Sequence, residues 1–331
     1  AISPNACTRI DKAVRSNLAK QAKLGWISEW GDPDRDGINN RLEYLNGSDP
    51  MVAESITGKL TRQWWFNVPG QSLTEERVLR AKLNKPSMVT LPDQGARLER
   101  NTTDSFLSRT RGYITAPVTG TYRFWIAADD VAELWLSSNS GKFHKQLIAS
   151  VGRGKGTNFL NNGFTAVDSW DQYSQQQSKD ITLQAGQTYF IEVLHKENGG
   201  DDHASVAWSY REKDSKTSSP REVIPASALS SFAINQEDQD DDYLPDAWEK
   251  EYKLNTTDNG ARDYTKQGEN GDFDADGLTN YQEYLLGTNP TLADTDGDGI
   301  SDAIEVNLYG SNPVVKDASE PKHHSDIKLT A

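Results

Sequence analysis

Cysteine is nearly absent from this 331-residue chain: Cys7 stands alone, which excludes an internal disulfide framework. The residues before it, Pro4-Asn5-Ala6, are not the apolar lead expected of a lipidated cysteine, so Cys7 reads as a buried or incidental thiol. Long apolar runs are missing as well. The longest are a few residues, far short of the ~20 that a membrane-crossing helix needs. Positive charge is the minority sign, 35 Lys and Arg against 49 Asp and Glu, for a formal net charge of −14. That balance leaves no basic footprint for nucleic acid. The chain opens at Ala1 with neither Met nor a signal-like apolar stretch, as a processed mature chain would. It also has no HExxH, no GxSxG and no Walker loop. The glycines of GRGKGT at 152–157 lack the strand-to-helix setting of a phosphate loop and read as surface, so a non-enzyme is expected.

Apolar residues make up 35%, below the usual ~45–50%, yet 9 Trp, 12 Tyr and 9 Phe can bury large areas. Length suggests about two domains. The acidity is local: the windows 32–43, 238–249, 272–283 and 294–305 hold 19 of the 49 carboxylates and only two bases, Arg35 and Arg41. Outside them 30 acidic residues face 33 basic ones. Local clusters of carboxylates point to cations.

The spacing inside the windows specifies which. A twelve-residue EF-hand-type loop surrounds a hard cation with carboxylates at positions 1, 3 and 5, a backbone carbonyl at 7 and a bidentate Glu at 12. The first window supplies Asp32, Asp34, Asp36, the Ile38 carbonyl, Asn40 and Glu43; the second Asp238, Asp240, Asp242, the Leu244 carbonyl, Asp246 and Glu249. The third supplies Asp272, Asp274, Asp276, the Leu278 carbonyl, Asn280 and Glu283; the fourth Asp294, Asp296, Asp298, the Ile300 carbonyl, Asp302 and Glu305. Solvated acidic turns would not place Glu at position 12 four times. Gly37, Gly277 and Gly299 fill position 6, where the chain turns sharply, whereas Tyr243 fills it in the second window. Calcium is the expected ion at all four, since magnesium demands tighter octahedral geometry.

A repeat joins the two ends. Residues 32–50 align without gaps to 272–290 with 10 of 19 identical. These blocks, notably DTDGDGISDAIE (294–305) and DADGLTNYQEYLLGTNP (274–290), resemble the thrombospondin type 3 and dockerin-like calcium repeats of bacterial extracellular proteins over about 30–50 and 236–313. The resemblance implies structural calcium and rigidity. Micromolar-to-millimolar affinity would suit an extracellular setting.

Ahead of the first window, Ile10, Val14, Leu18 and Ala22 predict an amphipathic helix over 9–24, basic through Arg9, Lys12, Arg15, Lys20 and Lys23. Between about Leu60 and Phe232 the pattern alternates: 63–67, 112–116, 121–127, 133–137, 180–184, 188–194 and 205–210 read as strands parted by turns such as Pro117-Val118-Thr119-Gly120. Many short strands without helices between them predict an antiparallel sandwich or barrel. Trp125, Trp135 and Trp208, within those strands, are expected in the core.

The segments 112–138 and 189–210, with GKLTRQWWFNVPG (58–70) and REVIPASALS (221–230) at the two ends, resemble the PA-14 domain over roughly Ile56–Phe232. That family implies a β-sandwich whose members include flocculins and adhesin lectins. In these a cis-linked Asp pair and a distant loop hold Ca²⁺, and the ion binds vicinal sugar hydroxyls. Asp129 and Asp130 match the pair, and Asn198-Gly199-Gly200-Asp201 resembles the loop. Carried over, the ligands are Asp129, Asp130, the Asn198 side chain, the Gly199 carbonyl and Asp201, with Asp202 a possible alternative register; Asp129, Asp130, Asn198 and Asp201 would meet the sugar. His195 and His203 flank the loop and read as hydrogen-bonding scaffold, since calcium prefers oxygen. Asp168, Trp170, Gln172 and Tyr173 form a polar-aromatic loop suited to a sugar wall.

The expected fold is mainly β: a PA-14-like sandwich at 52–234 between calcium modules at 1–51 and 235–331. The expected function is a secreted or cell-surface, calcium-dependent, glycan-binding adhesin module on a calcium-stiffened stalk. The alternative is a head-to-tail filament, in which the basic N-terminal helix and first loop dock on the acidic repeats of the next copy and Ile327 and Leu329 add a strand to an exposed edge.

Overall fold

The computed structural model describes residues 38–46, 49, 55–92, 95–97, 103–152, 164–232 and 238–316. The helix expected at 9–24, Asp32, Asp34, Asp36, Cys7, Ile327 and Leu329 lie outside them. Two compact units divide between Asn235 and Gln236.

The first unit contains two antiparallel sheets. Strands β1 (Thr61–Trp65), β2 (Met88–Thr90), β3 (Phe106–Thr115), β5 (Val131–Ser137), β6 (Lys145–Val151) and β8 (Thr188–Glu197) order as β2-β1-β3-β8-β5-β6, and β11 (Leu229–Ser231) pairs with β3 beyond the end of β1. The smaller sheet is β10-β9-β4-β7, from β10 (Glu222–Val223), β9 (His203–Glu212), β4 (Gly120–Asp129) and β7 (Ile181–Leu183). Helix α1 (Asn40–Asn46) precedes the sheets, and α2 (Glu76–Ala81) lies between β1 and β2.

Period-two alternation builds the core. Tyr122, Phe124, Ile126 and Ala128 of β4 face Ala132, Leu134 and Leu136 of β5 and Tyr189, Ile191 and Val193 of β8 in one buried apolar cluster. Trp208 belongs to that cluster. Trp125 and Trp135 do not, because each sits one residue out of phase with the inward row of its own strand; Trp125 is nonetheless buried, as expected, whereas Trp135 is half-buried. Trp125 instead lies beneath the Arg221 guanidinium, 4.7 Å from its ring centre, and Trp135 donates to Glu133.

The outer face of the larger sheet is covered as well. Trp65, Val68, Leu73, Val78, Leu107, Val131 and Leu194 form a second apolar cluster there, to which α2 contributes Val78. Beside it runs a buried ion pair, Lys145 Nζ to Glu192 Oε1 at 2.6 Å.

Of the chain connections that cross between the sheets, two bear on one corner. β4 of the small sheet passes to β5 of the large sheet through Asp130 alone, and β8 of the large sheet passes to β9 of the small one through 198–202. Register places both crossings at one end, since Asp129 pairs with His203 and Val131 with Lys196.

The second unit contains α3 (Asp246–Tyr252), α4 (Asn280–Leu286) and α5 (Asp302–Ile304), the last running into a π-helical turn, Glu305–Tyr309. Each follows an acidic loop. Thr279 caps α4 reciprocally with Gln282, and Lys253, Gly287 and Gly310 end the three helical segments in the left-handed conformation. Among the described residues no helix is long and apolar enough to cross a membrane.

Candidate cation sites in the acidic loops and at the sandwich corner

The three described loops share one internal wiring. The position-6 amide donates to the position-1 carboxylate: Tyr243 to Asp238 (2.9 Å), Gly277 to Asp272 (3.0 Å) and Gly299 to Asp294 (2.9 Å). The position-7 amide donates to the position-5 carboxylate: Leu244 to Asp242 (2.8 Å), Leu278 to Asp276 (2.7 Å) and Ile300 to Asp298 (3.0 Å). The position-2 amide donates to the side chain at position 9: Gln239 to Asp246 (2.8 Å), Phe273 to Asn280 (3.2 Å) and Thr295 to Asp302 (2.9 Å). Position 9 thus closes the loop, in keeping with the water-mediated share that it commonly has in such sites. Tyr243 adopts the same left-handed conformation as its glycine counterparts, with φ of 73° against 108° at Gly277 and 99° at Gly299.

The wiring leaves oxygens over. In the second loop both oxygens of Asp240, Oδ2 of Asp242 and both oxygens of Glu249 are buried without a hydrogen-bond partner among the described residues. The third loop leaves Asp272 Oδ1, Asp274 Oδ2 and Glu283 Oε2, and the fourth Asp296 Oδ2 and Glu305 Oε2. In each loop the carboxylates at positions 1, 3 and 5 bring ligand atoms within 4.8 Å of one another. Glu249, Glu283 and Glu305 at position 12 are fully buried. Burial, then repulsion from neighbouring carboxylates, pushes Asp240 up to about 7 and Glu249 and Glu283 to about 8. Asp274 rises to about 6 by burial and repulsion from Asp276 and Asp272, and Asp242, Asp296 and Glu305 shift the same way. Buried carboxylates without donors are costly. An oxygen-seeking divalent cation supplies what is missing, so the residues fit calcium. Of the first loop, Ile38, Asn40 and Glu43 are described, and all three are fully buried.

At the sandwich corner the Asp129–Asp130 peptide is cis, as the resemblance implied. The Asn198 amide donates to Asp130 Oδ2 at 3.1 Å, and the Asp130 amide donates to Glu197 Oε2 at 3.0 Å. Asp129, Asp130 and Glu197 bring ligand atoms within 4.8 Å of one another. Burial, then Asp130, Asp201 and Asp202, raise Asp129 to about 6. Burial with Asp130 beside it raises Glu197 to about 7. Asp201 is exposed and Asp202 buried, which favours Asp201 as the outward carboxylate of the loop.

The histidines are scaffold. His195 Nε2 meets the Asp129 carbonyl at 2.8 Å, and His203 Nε2 meets the Thr165 carbonyl at 2.8 Å. Burial, with Arg62 close by, drops His195 to about 3 and keeps it neutral. The polar-aromatic loop does reach this corner, through a residue that periodicity did not reveal. Phe164 bridges Asp129 in antiparallel fashion and stays 57% exposed. Its carbonyl accepts from Tyr173 Oη at 3.3 Å and from Gln172 Nε2 at 3.4 Å. Asp168 turns instead to Arg97 at 2.8 Å. Asp104, also unmarked in the sequence, accepts from the Gly200 amide at 3.4 Å.

Comparison with known proteins matches this architecture. A family model for the GLEYA domain matches residues 106–209, the start of β3 to most of β9, and the bacterial TSP3 repeat model matches 272–293 and 294–316, the third and fourth loops. Among curated proteins, the mouse (Mus musculus) N-acetyl-beta-glucosaminyl-glycoprotein 4-beta-N-acetylgalactosaminyltransferase 1 is 35% identical over 98 residues, 29% of this chain and 9% of that protein. Mouse fibrocystin is 36% identical over 93 residues, 27% of this chain and 2% of its own length. The chain thus spans less than a tenth of these relatives. Among solved structures, the Epithelial Adhesin 6 A domain of Candida glabrata in complex with Galb1-3GlcNAc has a TM-score of 0.39 at 12% identity, covering 56% of this chain and 91% of that one. The PA14 domain of the MpAFP antifreeze protein has a TM-score of 0.37 at 14% identity, covering 54% and 93%. The chain therefore carries a stretch similar to the GLEYA domain at 106–209, followed by two stretches similar to the bacterial TSP3 repeat at 272–293 and 294–316.

Proposed function

We propose that this is a non-enzymatic, calcium-binding, carbohydrate-binding module of an extracellular or cell-surface protein, organised as 1–51, 52–234 and 235–331. The corner carries the reading: Asp129, Asp130 and the Asn198–Asp201 loop meet where two sheet crossings converge, with an exposed Phe164 alongside. Calcium bound there would hold and polarise vicinal hydroxyls of a sugar. The chain's own residues do the rest. Asp129 and Asp130 present carboxylates from strand ends fixed by the core, His195 anchors the Asp129 carbonyl, and Phe164 offers an apolar face to a pyranose ring. The acidic loops support a second, structural use of calcium, in which the ion neutralises carboxylates that otherwise repel and so stiffens the second unit.

A glycan array probed with the full chain in calcium, in chelator and as Asp130→Ala tests the corner. Binding that needs both calcium and Asp130 is expected, and failure to bind any sugar overturns the reading. The head-to-tail filament is not supported: the basic helix at 9–24 and Ile327 and Leu329, on which it relies, lie outside the described residues.

A further inference from the structure

The inward row of β8 reads Tyr189, Ile191, Val193, His195, Glu197. The first three lie in the core, whereas the last two turn the same face polar at the end of the sandwich where both crossings pass. Asp130 is the residue that joins β4 to β5, and its amide reaches the Glu197 carboxylate at that end, although 66 residues separate the two in the chain.

Glu197 is fully buried. Its Oε2 accepts from the Asp130 amide at 3.0 Å, while its Oε1 is buried with no hydrogen-bond partner among the described residues. Strand geometry does not require an acid here, since a Gln would satisfy the Asp130 amide equally well and would cost far less to bury. The ligand atoms within 4.8 Å of its own belong to two more carboxylates, Asp129 and Asp130. What suits such an oxygen is a cation shared with Asp129 and Asp130.

We infer that Glu197 is a third carboxylate ligand of the cation at the Asp129–Asp130 corner, gripping it from the sandwich interior while the Asn198–Asp201 loop faces outward. This rests on the corner being a cation site and adds a ligand to the set that the family resemblance supplied. The ion is then tied to β4, β5 and β8 at once, and the extra negative charge tightens the site.

The test is a calcium titration of the full chain followed by ¹H–¹⁵N NMR, reading the amides of Asp130, Asn198 and Gly199 for the corner and those of Gly277 and Gly299 for the loops. In Glu197→Gln, which reproduces a protonated glutamic acid in shape and hydrogen bonding, the corner midpoint is expected to rise by about tenfold or more while the loop midpoints stay put. Unchanged corner midpoints in a folded Glu197→Gln overturn the ligand role alone. Corner amides that ignore calcium in the wild-type chain overturn the cation reading and this inference with it. Should Glu197→Gln not fold, lanthanide anomalous diffraction from wild-type crystals decides: a Glu197 oxygen about 2.3–2.6 Å from the ion is expected, and an ion coordinated without Glu197 refutes it.

Discussion

The two units bury carboxylates in opposite ways. In the β-sandwich Glu192 has Lys145 against it, and around it lie apolar clusters on both faces of the larger sheet. In the repeat unit Glu249, Glu283 and Glu305 are just as buried, yet each retains at least one oxygen with no hydrogen-bond partner among the described residues, and their neighbours are further carboxylates. Away from the Asp129–Asp130–Glu197 corner the sandwich contains its own counter-charge, whereas the repeat unit presents carboxylates that await one. Stability is therefore an intrinsic property of the sandwich and a conditional property of the repeats.

Chelation should separate the units most. Hydrogen exchange of the full chain in excess chelator is expected to show amides across 238–316 losing protection by orders of magnitude, with β3, β4, β8 and β9 nearly unchanged. Equal loss in both units would erase the contrast. Next in size is the sandwich's own pair: Glu192→Gln strands a buried ammonium and should cost about 3–5 kcal/mol in urea unfolding, with or without calcium. Glu283→Gln should instead leave the sandwich transition untouched and weaken one class of calcium site by about tenfold or more in calorimetric titration.

Acidity offers a subtler probe. In the cation-free repeat unit Glu249 and Glu283 titrate near 8 and Asp240 near 7, well above unfolded carboxylates at ~4. The folded unit then holds more protons than the unfolded one across that window, so its stability falls as pH rises from about 4 to 8. Calcium must displace those protons, so affinity rises over the same range. The thermal midpoint of this unit should accordingly be higher at pH 5 than at pH 8 in chelator, with the order reversed in calcium. Identical ordering in both conditions would mean that these carboxylates do not bind the ion. The smallest effect is expected at position 4 of the third loop, where exposed Ala275 takes a left-handed φ of 66° and its counterpart in the fourth, Gly297, one of 73°. Ala275→Gly should stabilise the repeat unit by up to about 1 kcal/mol, read as a small rise in its thermal midpoint.

The same contrast explains what the sequence disclosed. The described acidic loops were legible as loops, down to a buried Glu283 at position 12, because the pattern is local and the candidate ligands of each fall within twelve residues. Sandwich strands were legible by alternation, although β6 escaped notice and Trp135, expected in the core, is half-buried, since period two identifies a strand without saying which row faces in. The corner was legible only as far as Asp129-Asp130 and Asn198–Asp201 resemble a known pattern. Glu197, Phe164 and Asp104 were not, because their roles arise from the register of β8 against β3 and β5 and from the bridge between Phe164 and Asp129. A glutamate at the end of a strand looks like any other solvent-facing terminus until the row that it continues is known to point inward.

The two crossings at that corner also differ in length. Asp130 is the whole connection between β4 and β5, whereas five residues join β8 to β9. A one-residue passage between two sheets has no room for insertion, and any change in it moves both strands. The five-residue passage and the segment around Phe164 can lengthen, shorten or change side chains while the strands stay in place. Over evolutionary time new preferences can therefore be written on the Asn198–Asp202 and Phe164 side of the corner, and the Asp130 side is held to one solution.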